Sequence, residues 1–531
     1  CSPNRVRTRW VNRALARRGR TSRSSSPGQR GDAPDPIRGL HTLEPTMDMA
    51  PTPPIPRSSR TARLTGSRTA TWLLATATML AGCAGGGSAP SDPTPPSDTS
   101  VSSSARPISQ ELALQTFDSA WSRINSSYYD PDFRGIDWPG IRDELRPLAA
   151  EVSTREELRV VLRDMLSRLG ESHFAILPQE SVQAISVEAD GVEDLGDAGP
   201  GDVGLEARWV EGKLTIFRLR DGAAADAGLR TGWVIASVGE QETERWERVV
   251  ADAASERERI TAETQTVQGA MSLMTGPVGS ELSMTVVDER GDTSTVALER
   301  RPARGEMVRF GQLPAMASWL DWDRVPAPGP SGACVGVIEF NIWMVPLVAP
   351  FNQAVDALAD CGGIVIDLRG NPGGVGGMVM STAGSFFAER AELGTLQSRA
   401  GELNFVAMPR GVDTGGALRD AYDGRLAVLI DEMSMSTSEI FAAGLESTGR
   451  ARLFGSTTPG YALPAATLPL PSGDVLYHVI SNLTDPEGRR IEGSGVRPDI
   501  EIPLRRGALL AGRDEALDAA VAWAAGGDDA R

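Results

Sequence analysis

The chain holds three histidines, His41, His173 and His478, and a single lysine, Lys213, so a scheme that needs a neutral base has few candidates. Two stretches have spacing suited to chemistry. The apolar run Ile364-Val-Ile-Asp-Leu-Arg369 opens into Gly370-Asn-Pro-Gly-Gly-Val-Gly-Gly377, whose glycines free backbone amides to face a ligand atom. A phosphate cradle would need a Gly-Lys-Ser/Thr ending, which is absent, and neutral donors aimed at an oxyanion fit the composition better. A second run, Leu426-Ala-Val-Leu-Ile-Asp431, leads through Glu432-Met-Ser-Met-Ser-Thr-Ser-Glu439 into Ile440-Phe-Ala-Ala-Gly-Leu445 and sets serines at a strand-to-helix turn. A hydroxyl there is placed for nucleophilic attack, with the helix N-terminus favouring nearby negative charge. Ser436-Thr-Ser-Glu439 is also a capping-box pattern, and on this stretch alone the cap is the simpler reading.

The elements that must hold these residues follow from periodicity. From Val335 to Ile502 strand-like and helix-like runs alternate, which predicts an α/β domain, and Arg513 to Ala525 adds a closing amphipathic helix. Residues Gly204 to Arg300 carry short alternating runs such as Lys213–Leu219, Trp233–Val238, Leu282–Val287 and Thr293–Leu298, divided by Gly and Asp turns, which predicts a β-rich module. Upstream, Leu112, Leu114, Phe117, Trp121 and Ile124, then Leu158, Val161, Leu162, Met165 and Leu169, recur at helical spacing. Cys334 and Cys361 each precede an apolar run. If those runs are adjacent parallel strands the two sulfurs can bridge; two separate buried thiols are the alternative.

Composition excludes several classes. With 531 residues, 40% hydrophobic and 23% charged, the chain is long enough for two or three domains and is no small disulfide scaffold. Its net charge is −17, and residues 1–82 carry a surplus of 10 positive charges, so the remainder is near −27 and nucleic acid is excluded as a partner. The one uninterrupted apolar segment, Thr71 to Ala81, falls short of the roughly 20 residues a spanning helix needs. Arginines from Arg57 to Arg68 precede that segment, and it ends in Leu80-Ala-Gly-Cys83, the layout of a secretory signal. The last four residues resemble the bacterial lipobox, which implies acylation of Cys83, attachment to a membrane by lipid and a place in the cell envelope. Residues 1–46 read as an over-extended gene start, and Ala84 to Pro107 as a Gly/Ser/Pro tether.

Two resemblances sharpen the function. Asp221-Gly-Ala-Ala-Ala-Asp-Ala-Gly-Leu-Arg-Thr-Gly-Trp-Val-Ile235 is similar to the PDZ signature, which implies a module that takes up an extended peptide end, with the loop at Gly204 and Leu205 holding its carboxylate. A module that only packs against the catalytic unit is the plainer alternative. Asp367-Leu-Arg-Gly-Asn-Pro-Gly-Gly374, Ser436-Thr-Ser-Glu-Ile440, Gly449-Arg450 and Gly495-Val-Arg-Pro-Asp499, in that order, resemble the tail-specific (C-terminal processing) serine peptidase family over about Ser109 to Leu504. The resemblance implies a ClpP/crotonase-like catalytic fold and Ser436 as nucleophile. Tyr461 stands where lysine-using members carry their base.

Ser172-His173 instead resembles the Ser-His pair of the tricorn-core branch. By that resemblance His173 is the base, Glu492 its orienting carboxylate and Ser172 an accessory hydroxyl. The oxyanion hole would combine the Thr437 amide with that of Gly373 or Gly374, and the spacing leaves the choice of glycine open. No cofactor and no catalytic metal are expected, and the partner is a polypeptide substrate. The organisation read from the sequence is leader and lipoprotein signal 1–82, lipidated tether 83–107, helical domain 108–185, PDZ-like domain 202–300, linker 301–332, catalytic α/β domain 333–507 and C-terminal helix 508–531. An inactive peptide- or apolar-ligand-binding protein and a crotonase-type lyase are the rival readings.

Overall fold

The computed structural model describes residues 106–179, 200–309, 315–327 and 334–527, all within one compact unit, Leu73–Arg531. The signal segment, Cys83 and most of the tether lie outside the described residues. Among the described residues no helix is long and apolar enough to cross a membrane.

Three helices open the described chain: α1 (Gln110–Ser127), α2 (Trp138–Glu151) and α3 (Arg155–Ser167). The first begins where Ser109 Oγ accepts the Leu112 amide, and the third where Thr154 and Glu157 form a capping box. Their inward stripes, including Phe117, Ile124, Leu145, Leu158 and Leu162, make one core. In the turn between α1 and α2, Phe133 stacks on Tyr128 and Trp138 with centroids 5.1 and 5.3 Å apart. The same core takes in Leu463, Leu470, Leu476 and Val479, so the helices are seated on the catalytic domain. After α3 a short loop, Gly170 to Phe174, leads into β1 (Ala175–Leu177).

An antiparallel module follows, with strands β2 (Leu205–Val210), β3 (Lys213–Leu219) and β4 (Val234–Val238), the helix α4 (Glu256–Met274), then β5 (Glu281–Val287) and β6 (Thr293–Glu299), the strands hydrogen-bonded in chain order. The alternating runs of the sequence are these strands. Helix α4 is the element the alternation hides: its buried face is Thr264, Thr266, Val267, Gln268, Ala270 and Met274, a stripe half polar and therefore faint in a hydrophobicity pattern.

The α/β domain is built from β7 (Leu320–Pro326), β8 (Cys334–Phe340), α5 (Val348–Ala357), β9 (Gly363–Asp367), β10 (Arg425–Ile430), α6 (Thr437–Ser447), β11 (Arg452–Gly455), β12 (Ala465–Pro469), β13 (Val475–Val479), β14 (Ile500–Glu501) and α7 (Glu515–Ala524). Its main sheet has the order β7-β8-β9-β10-β11-β14, parallel throughout except for the antiparallel edge strand β7. All five residues of β9 and five of six in β10 are buried, as strands covered on both faces must be. Phe351 of α5 and Ile440 and Phe441 of α6 cover one face of the sheet, and Ala516, Ala520 and Ala524 of α7 the other.

Two readings of the sequence are corrected here. Leu320–Pro326, placed in a linker, is the edge strand β7; its side chains are largely solvated, so no apolar run announces it. Val475–Val479 does not join the main sheet but forms a separate one with β12 and with β1 from the helical end of the chain. The cysteine alternative is also decided: pairing of Val335 with Gly363 sets β8 beside β9, and Cys334 and Cys361 are joined as a disulfide with Cα atoms 4.8 Å apart.

Candidate active site

Parallel strands β9 and β10 deliver their following loops to the same edge of the sheet, where crevices form in open α/β folds. The turn from β10 into the first residues of α6 holds three serines, two of which donate their hydroxyl hydrogens to backbone carbonyls. Ser434 Oγ donates to Leu368 O at 2.8 Å, and Ser438 Oγ donates to Asn371 O at 3.0 Å while accepting from Trp343 Nε1 at 2.9 Å. Both are fully buried, whereas Ser436 keeps 8% of its surface and lines a small open cavity with Gly374, Thr437, Ile440, Ala462 and Leu463.

Ser436 has φ +54° and ψ −113°, a conformation that costs a non-glycine residue about 1–3 kcal/mol and persists only where neighbours dictate it. Those neighbours are identifiable. The Ser436 N–H donates to Tyr461 O at 2.8 Å and Glu439 Oε2 at 3.0 Å, and the Met435 N–H donates to Asn371 O at 3.1 Å. The glycine loop lies so close that a Cβ on Gly373 would sit 2.7 Å from that of Ser436, and one on Gly374 2.2 Å from Trp343 O. Trp343 grips this loop through its own backbone, donating to Gly373 O and accepting from the Val375 N–H. The Gly373 N–H is occupied by Asn371 Oδ1 at 3.0 Å, while Gly374 lines the cavity.

The second cluster comes from the far ends of the chain. Ser172 Oγ donates to Glu492 Oε2 at 2.9 Å and lies 2.6 Å from His173 Nδ1, and Glu492 also accepts the amides of Ser172 and Ala462. Burial pushes the Glu492 carboxyl up against those three donors, and burial pushes His173 down to about 4. His173, like Ser436, has positive φ (+62°); they are two of the five such non-glycine residues among the described residues, so strain collects at this site. Just before the pair, Glu171 is buried and accepts from Tyr128 Oη (2.7 Å), Tyr129 Oη (2.8 Å), Arg134 and Arg490. Glu171 was not singled out in the sequence, where a glutamate beside a glycine and a serine carries no signal of its own.

The two clusters meet through Tyr461-Ala462, whose backbone holds Ser436 by the carbonyl of the first residue and Glu492 by the amide of the second. Ser436 and His173 themselves share no hydrogen bond among the described residues. Glu439 is enclosed behind them and accepts from Ser436, Gly460 and Tyr461 amides and from Thr458 Oγ1. Burial, with the nearby Glu492 adding to it, pushes it up to about 8 against those donors.

Other candidates fall elsewhere. His478 is buried within β13, bonded to Ser127 Oγ at 3.3 Å and pushed down to about 4 by burial. Lys213 pairs with Glu247 on the surface of the module. Asp367 and Asp431 serve the seam between module and catalytic domain, binding Arg218 and Arg208 at 2.6 and 2.7 Å. Burial raises Asp367, yet Arg369 and Arg218 outweigh it and hold the carboxyl well below the usual range. In the loop before β2 the Gly204 N–H is spent on Asp202 Oδ1 at 2.8 Å, and Leu205 is buried.

Comparison with known proteins finds similarity to peptidases. The profile of Peptidase family S41 matches residues 335–502, and that of the Tricorn protease C1 domain matches residues 110–167. The chain is 24% identical over 421 residues to Tricorn protease homolog 1 of Streptomyces coelicolor, covering 77% of this chain but only 35% of that relative. It is 25% identical over 401 residues to the carboxyl-terminal-processing protease of Synechocystis sp., covering 74% and 82% of the two chains. The solved photosystem II D1 C-terminal processing protease superposes with a TM-score of 0.51 at 20% identity, over 78% of this chain and 98% of that one, which speaks for a shared fold. The chain thus carries a Peptidase family S41 domain over the strands of its main sheet and a Tricorn protease C1 domain over its first helices.

Proposed function

We propose that this protein is an exported, lipid-anchored serine endopeptidase that cleaves unfolded polypeptides or C-terminal tails at Ser436, with a ClpP/crotonase-like catalytic domain and a PDZ-like module. The carrying observation is that Ser436 alone of its three neighbouring serines opens to the cavity, across one backbone segment from the Glu492–Ser172–His173 chain.

The proton roles follow from donor counting. A hydroxyl has one hydrogen; with that of Ser172 given to Glu492, Ser172 Oγ accepts from His173 Nδ1–H, which leaves Nε2 as the acceptor for Ser436. Glu492 thus orients the imidazole through Ser172 and favours the imidazolium that forms as Ser436 Oγ attacks the scissile carbonyl. His173 then protonates the leaving amine, and water, activated the same way, resolves the acyl-enzyme. The Thr437 amide and that of Gly374 receive the oxyanion; Gly373 is the weaker candidate because Asn371 already occupies its N–H. Catalytic hydrogen bonds are often long before substrate arrives, so the unmade Ser436–His173 bond is compatible with this role.

Fluorophosphonate labelling near pH 8 tests the reading. Modification mapped to Ser436, lost in Ser436→Ala and His173→Ala, is the expected result. A folded protein that neither labels nor cuts unfolded substrates would sink it and leave the peptide-binding alternative.

A further inference from the structure

Tyr461 occupies the position at which lysine-using relatives carry a base, yet its phenol does not face the cavity. The ring, 8% exposed, packs with Met433 and Met435 into the core of the inserted module, to which α4 contributes Val267 and Ala270, and Thr261 and Gln265 of α4 lie beside its hydroxyl. The backbone of the same residue does the opposite job. Its carbonyl takes the Ser436 N–H at 2.8 Å, its amide goes to Glu439 at 2.9 Å, and the next amide goes to Glu492 at 3.0 Å. One residue therefore ties the nucleophile, both buried carboxylates and the module together.

Helix α4 touches the Ser436 loop independently at two further points: Thr264 Oγ1, which donates to Ile260 O at 2.8 Å, lies 3.2 Å from Glu432 O, and Gln268 Nε2 donates to Met435 Sδ at 3.3 Å. It also brings the Arg257 guanidinium within 3.3 Å of where a Cβ on Gly493 would stand, next to Glu492. A serine in a left-handed conformation needs this kind of enclosure, because its unstrained alternatives must be made worse than the strain.

Building on Ser436 as nucleophile, we propose that Tyr461 is a positioning residue, whose phenol on α4 fixes the 460–462 backbone and through it the Ser436 turn. The module is then part of the active-site scaffold, needed for acylation even by reagents too small to reach a peptide groove. This differs from a base lost and replaced at random: the side chain has exchanged proton transfer for support.

The experiment uses the full chain and a small fluorophosphonate, with the inactivation rate constant separated from the binding constant. Tyr461→Ala is expected to slow the inactivation step about 100-fold, the loss typical of an ångström-scale misplacement, with the binding constant and the acid limb of the pH profile unmoved, because His173 is untouched. Tyr461→Phe is expected to slow the inactivation step several-fold, less than Tyr461→Ala because the ring stays packed, the double variant Thr261→Val, Gln265→Leu to match it, and Lys213→Ala on the module surface to behave as wild type. Wild-type inactivation by folded Tyr461→Ala overturns the proposal. Should that variant not fold, Tyr461→Phe and the double variant decide: a shared fall in the inactivation step upholds it, and wild-type rates in both overturn it. Absence of labelling at Ser436 in the wild type would instead remove the nucleophile assignment on which it rests.

Discussion

The two walls of the cleft are built on different principles. On the Ser436 wall, positions come from backbone and near neighbours: Met433 and Ser434 bond to Asp431, Ser434 reaches the adjacent strand end at Leu368, and the glycine loop is pressed against Ser436. On the His173 wall they come from side chains more than 300 positions apart, with Glu171 on Arg490 and Ser172 on Glu492. The first wall inherits its rigidity from a sheet buried on both faces. The second depends on buried charges, which hold a geometry only while every partner is present, since a charge left alone in the interior costs several kcal/mol.

That contrast can be broken first at its chemistry. Ser436→Ala should lower the turnover of an unfolded protein substrate by about 10⁴-fold or more, with thermal stability kept, because only a hydroxyl facing a cavity is lost. Glu492→Gln should cost on the order of 10³–10⁴ in kcat, since an amide nitrogen would face the donors of Ser172 or Ala462 and the histidine would lose its preferred tautomer.

The pH profile sharpens the same wall. A base must be neutral to act, and burial that pushes His173 down to about 4 keeps it neutral to lower pH. Labelling at Ser436 should therefore stay level from pH 7 to about 5 and fall tenfold per unit below about 4, measured on protein shown to remain folded. A limb near the ordinary histidine value of about 6.5 would refute a dry His173.

Further from the reacting atoms the effects should shrink. Glu171→Ala leaves Arg490 and two tyrosine hydroxyls without their acceptor, and should cost about 3 kcal/mol in urea unfolding and roughly 10- to 100-fold in kcat through a loosened Ser172-His173 loop. Replacing Cys334 and Cys361 by serine is the smallest: about 2–4 kcal/mol of stability, with activity at 25 °C unchanged, because the bridge joins β8 to the turn before β9, at the strand ends opposite the glycine loop.

What could be read in advance divides along the same line. Strands β9 and β10 were legible because both faces are buried, and the cysteine bridge was legible as a conditional that needed only their adjacency to β8. Helix α4 was not, because Thr264, Gln268 and Ala270 make a buried stripe without an apolar signature, and β7 was not, because an edge strand in solvent need not be apolar. Val475–Val479 looked like one more strand of the alternating series; its pairing with β1 is a contact between residues some 300 positions apart.

By itself the sequence determined the local candidates: one serine turn, one glycine loop, a histidine beside a serine, no lysine at the expected place, and the strand–helix alternation that carries the turn. Only the tertiary structure decided which serine hydroxyl donates to no carbonyl, that Gly373 spends its amide on Asn371, that Glu492 reaches His173 through Ser172, and that the tyrosine in the lysine position turns away toward α4. The reason is physical. Periodicity and turn chemistry act over a few residues and are written locally, whereas the partner of a buried polar group is chosen by whichever distant segment packs beside it.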